Sequence, residues 1–105
     1  MEMKRPKEVK GVGIESPVVV YQEEGYWVAH CLALDLVAHG ATEKEARESL
    51  VRVIATHIDY AKEHGLLDSV LHMAPKEFWE KFDKSSTKWR LHLQESRIEL
   101  EPCLA

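Results

Sequence analysis

Four side chains able to do chemistry fall within ten residues of one another: His30, Cys31, Asp35 and His39. Imidazole, thiolate and carboxylate together are a zinc-type ligand set, provided that they converge on a tetrahedron. The spacing is neither Cys-x-x-Cys nor His-x₃-His. His30 and Cys31 are also adjacent in a run, Tyr26-Trp27-Val28-Ala29-His30-Cys31, that reads as a strand, and neighbours on a strand point to opposite faces. The expectation is therefore ordinary sheet histidines with Cys31 as a small buried hydrophobe, and no metal. His57 falls on the apolar side of a helical pattern and reads as a hydrogen-bonded core histidine, since neither a nucleophile nor a partner accompanies it. Metal-dependent phosphodiester cleavage needs several converging carboxylates, and the strands offer only Asp35, at a loop. No catalytic, metal-binding or cofactor-binding residue is assigned, and the chain is not expected to be an enzyme.

The elements that would position these groups are legible nearby. Val18 to Tyr21 and Tyr26 to Cys31 are apolar runs joined through Gly25, which can take the positive φ that a hairpin turn requires. Asp35 reads as a turn residue before a third short run, Leu36 to Gly40. The period then changes: Ala46, Leu50, Val53, Ile54, His57 and Ala61 recur at helical spacing. Thr42 with Glu45 three residues on forms a capping box, and Gly65 suits the opposite end of the helix. Val12 and Ile14 extend the first strand backwards, with Pro17 confining that region to a sheet edge. Further on, Pro75 leads into a short helix bearing Phe78, Trp79 and Phe82, Ser85 to Thr87 reads as loop, and Lys88 to Leu93 and Arg97 to Glu101 alternate as strands do, with a helix through Leu91 to Leu100 as the alternative. The pattern predicts an α+β fold in two layers: an antiparallel β-β-β-α-β sheet crossed by one long helix. It is a single domain over 1–105, with a core over 12–67 and a C-terminal extension over 68–105.

Of 105 residues, 45% are hydrophobic and 30% charged, the balance of a globular domain rather than a disordered one. The net charge of −4 argues against general affinity for nucleic acid, and no specific DNA binding is expected. No apolar run approaches a membrane span and the first residues lead into no signal-type core, so a cytoplasmic protein is expected. Lys4, Arg5, Lys7 and Lys10 near the start read as a solvated terminus.

Across Tyr21-Gln22-Glu23-Glu24-Gly25-Tyr26-Trp27-Val28-Ala29-His30-Cys31, Asp35-Leu36-Val37-Ala38-His39-Gly40 and the Thr42-x-x-Glu45-Ala46 helix entry, the chain resembles the HicB family of antitoxin-like proteins. The stretch from Leu66 to Phe82 is similar, more loosely, to an orphan branch of that family. The resemblance implies a reduced RNase H-like fold and a non-enzymatic role: binding and masking a HicA-like toxin, a small mRNA-cleaving protein. Family members that repress their own operon carry a C-terminal DNA-binding module, and Asp83 to Ala105 is too short and too strand-like to be one. The alternative is an orphan homo-oligomeric scaffold or ligand-binding domain with no toxin partner.

Apolar surface beyond the needs of one sheet points to self-association. Val51, Ala55 and Ile58 widen the helix stripe, and Tyr26 and Trp27 make the second strand apolar on both sides. These five residues are the expected interface of a homodimer or higher homo-oligomer, or of a partner complex.

Overall fold

The computed structural model describes residues 13–84, 88–94 and 97–103. The N-terminal basic segment, Val12 and Ser85 to Thr87, which the sequence pattern reads as loop, lie outside them. Five strands, β1 (Gly13–Glu23), β2 (Tyr26–Cys31), β3 (Leu36–Gly40), β4 (Lys88–Gln94) and β5 (Arg97–Pro102), form one sheet in the order β3-β2-β1-β4-β5. Every neighbouring pair is antiparallel. Helix α1 (Glu43–Glu63) follows β3, and a 3₁₀ turn (Leu67–Ser69) and helix α2 (Lys76–Lys84) precede β4. The fold is thus the expected α+β arrangement, with a second, smaller helix.

The hairpin closes at Gly25, whose φ is +81°, and pairs Glu23 with Tyr26. One expectation fails: Pro17 lies at no edge. It sits inside the central strand, opposite Arg90 of β4. Its carbonyl accepts from Leu32 N–H at 3.1 Å, so the Pro17 nitrogen faces the side where β2 has just ended at Cys31, and the missing donor interrupts no β4 hydrogen bond.

Alternation along the strands makes two unlike faces. On one, Val18, Val20, Ala29, Cys31, Ala38, Leu91 and Leu93 pack with Ala46, Leu50, Ile54, Ile58 and Ala61 of α1. On the other, Val19 and Leu32 join Ala74, with Tyr21, Phe78, Trp79 and Phe82 around them, so α2 covers the β1–β2 half of the sheet. The Trp79 indole N–H, donated to Ala74 O at 3.0 Å, ties α2 to the segment before it. The β4–β5 half of that face is polar: His92 lies between the Glu15 and Glu101 carboxylates, at 3.1 and 2.6 Å. β4 belongs to the core rather than to an appendage, since Leu91 is fully buried under α1.

Helix α1 starts as its capping box requires. Thr42 Oγ1 accepts from Glu45 N–H at 3.1 Å, and Glu45 reaches back to Ala41 N–H at 3.0 Å, one residue before the cap. It ends with Gly65 at φ +68° and Leu66 N–H bonded to Ala61 O at 2.8 Å. The buried stripe is rotated from the expected one. Ile58 is 5% exposed and inside the core, whereas Val53 is 37% exposed and His57 only half-buried. At about 100° per residue the buried residues centre near Ala61, with Ile58 about 60° to one side and Val53 about 80° to the other. Ile58 is therefore not interface surface. Both β-branched residues are similar in hydropathy, and the position of the sheet separates them.

Candidate functional site

The four chemically capable residues do not converge. His30 and Cys31 point to opposite faces of the sheet. His30 Nε2 donates to Asp35 Oδ1 at 2.8 Å, and the imidazole meets the Phe78 ring edge-on at 4.7 Å between centroids. Its Nδ1 is buried with no hydrogen-bond partner. Asp35 reaches His30 because it takes a left-handed backbone conformation, φ 53°, at the β2–β3 turn. The pair is a turn clasp beneath α2, packed against the Phe78 ring. Cys31 lies on the α1 face beside Ser16, whose hydroxyl accepts Ala33 N–H at 2.9 Å. Burial pushes the Cys31 thiol up from its ordinary value, against smaller opposing hydrogen bonds from Ser16, Leu34 and Ala33. His39 packs against Tyr26, ring centroids 5.1 Å apart. Among the described residues, no three His, Cys, Asp or Glu side chains are grouped to hold a metal ion.

An open groove of about 580 Å³ runs between the Val19–Glu23 end of β1 and α2. Lys81 Nζ lies 3.8 Å over the Tyr21 ring there, and Glu77, Glu80 and Lys84 share the rim. The groove is open to solvent and its rim carries charges of both signs.

Exposed apolar surface is the stronger feature. Residues 66–74 run beside the β2–β3 turn, held by His72 N–H to Ala33 O at 3.0 Å and Ala74 N–H to Leu32 O at 2.8 Å. Val70 and Ala74 point inward, while Leu66, Leu67, Leu71 and Met73 are left 44 to 63% exposed. Four neighbouring side chains of this kind form a ridge, and contiguous apolar patches mark interaction sites more often than scattered single residues do. Asp68 stands within the ridge and Glu63 at its approach, both exposed.

A second group lies at β3. Val37 is 42% and Tyr26 40% exposed on the face that α2 leaves open. Of the five residues expected at an interface, Tyr26 is thus available, while Trp27, Val51 and Ala55 are half-buried, with Trp27 packed against the main core. Ile58 is internal, as described above. The Leu66–Met73 ridge escaped the sequence reading, although the pair Leu66-Leu67 directly after a helix cap was a signal for it.

No described helix is long and apolar enough to cross a membrane. Comparison with protein-family models, with curated proteins and with solved structures gives no match to this chain.

Proposed function

We propose that the chain is a non-enzymatic protein-binding module of the HicB antitoxin type, which neutralises a HicA-like, mRNA-cleaving toxin in the cytoplasm by covering its active surface. The observation that carries this reading is the union of two features. The residues bearing the family resemblance form an antiparallel β-β-β unit with a capped helix across it, and the chain then displays the Leu66–Met73 ridge. An RNA-cleaving protein must offer a basic surface to phosphates, and the exposed carboxylates of Asp68 within the ridge and Glu63 before it complement such a surface in charge. The His30–Asp35 clasp has a structural role in this reading, and no step of chemistry is assigned to it. The reading includes no specific DNA binding.

The test is co-expression with the product of the adjacent reading frame, which this reading expects to be a short basic protein. Cellular mRNA should survive with the pair and be cleaved with the partner alone. Leu71→Asp with Met73→Asp should restore cleavage while the chain stays folded. Equal cleavage with and without the chain contradicts the reading. An orphan homo-oligomeric domain is the second reading, and it is favoured by the separate apolar group around β3.

A further inference from the structure

We infer that β3 is a self-pairing edge, through which two copies of the chain join their sheets antiparallel, β3 against β3. The inference holds whether or not a toxin partner exists, because it uses surface other than the Leu66–Met73 ridge.

The two edges of the sheet differ in kind. β5 alternates Arg97, Glu99 and Glu101 and ends in Pro102, the charges and proline that discourage strand addition. β3 reads Leu36-Val37-Ala38-His39-Gly40, with no acidic or basic residue apart from a histidine and no proline. Among the described residues no strand lies beyond it. A neutral edge meets its own copy without like-charge repulsion, which suits a second copy better than a highly charged foreign strand.

Apolar side chains flank this edge on both faces. Below it are Val37 and Tyr26, the latter edge-on to His39. Above it is one flank of α1. Arg47 lies over the Trp89 ring of β4 at 3.9 Å, which turns that flank of the helix toward β4 and β5. Val53 and Tyr60 lie about 80° and 100° from the centre of the buried stripe on the opposite flank, and so overhang β3. They are 37% and 55% exposed.

A two-fold axis normal to the sheet keeps both α1 helices on one face. Centred on Ala38, it sets Val37 opposite His39 of the copy and brings Val53 and Tyr60 toward their equivalents. From Val37, Tyr26, Val53 and Tyr60 alone the pair would bury about 700 Å², more than half of the roughly 1,200 Å² at the lower end of stable interfaces, before the strand backbones and His39 are included.

The decisive experiment is light scattering on a sizing column at 50 µM. The full chain should elute at about twice its 12.1 kDa. Val37→Lys should weaken association at least tenfold and give the monomer mass with unchanged circular dichroism, while Leu71→Lys, on the ridge, leaves the dimer intact. A monomeric wild type overturns the inference, as does a dimer that Leu71→Lys dissociates and Val37→Lys does not. If Val37→Lys fails to fold, cross-linking decides: in a Cys103→Ser background, Val37→Cys chains mixed with His39→Cys chains should form a disulfide-linked dimer, and no cross-linked dimer overturns the inference.

Discussion

Truncating Ile58 to alanine tests the rotation of α1 on the sheet. Ile58 is 5% exposed among the core residues of the α1 face. Removing its outer atoms deletes about three methylene equivalents, roughly 2.4 kcal/mol of transfer free energy, and the cavity left behind adds to this. A loss near 3 kcal/mol is expected, a large part of the ~5–15 kcal/mol that holds a domain together. Val53→Ala, at a position 37% exposed, should cost under about 1 kcal/mol. Both belong in the Val37→Lys background, so that association contributes nothing. Urea unfolding followed by far-ultraviolet circular dichroism gives the difference. With a slope near 1.3 kcal/mol/M, Ile58→Ala should lower the midpoint by about 2 M and Val53→Ala by well under 1 M. A larger loss at Val53 than at Ile58 would mean that α1 is rotated toward its Val53 side, and the core described above would be wrong.

Gly40→Ala should destabilise by about 1–3 kcal/mol, because its Cβ would stand 2.4 Å from Ala46 N and 2.6 Å from Glu45 C, backbone atoms of α1 that cannot swing aside. An unchanged melting temperature would refute that close approach. Cys31 carries a pH effect: burial raises its thiol above the ordinary value of 9.0, so above that pH the native chain keeps a proton that the unfolded chain has released. The unfolded state then binds fewer protons, and stability present below pH 9.0 is lost as pH rises through the folded value. The urea midpoint of the wild type should fall more steeply with pH above 9.0 than that of Cys31→Ala, and parallel slopes would refute it. In the native protein at neutral pH, a thiol reagent should label the half-buried Cys103 well before the buried Cys31.

The parts of the fold legible in the sequence were those set by local chemistry. Gly25 in the hairpin turn, the Thr42–Glu45 cap and Gly65 at the helix end each satisfy nearby backbone groups, so short-range patterns reveal them. The pairing of β4 with β1 depends on strands about 70 residues apart and leaves no local trace. Pro17 suggested an edge because the general rule cannot know that β2 ends one residue away. The face of α1 was blurred because Val53, Ile54 and Ile58 are alike in hydropathy, and only contact with the sheet separates buried from exposed. For the site, strand alternation sent His30 and Cys31 to opposite faces. The His30–Asp35 clasp was hidden because it requires Asp35 in a left-handed turn conformation. Tyr26 was legible as exposed apolar surface, but the Leu66–Met73 ridge depends on how residues 66–74 are tied to Leu32 and Ala33.

The antitoxin reading expects the adjacent reading frame to encode a short basic protein, and its most direct measurement is a calorimetric titration of the purified chain into that product at about 150 mM salt. Saturable binding with submicromolar affinity is expected, weakened at least tenfold by Leu71→Asp with Met73→Asp and left nearly unchanged by Val37→Lys. Absence of binding at tens of micromolar, or binding indifferent to the ridge substitutions, would contradict it.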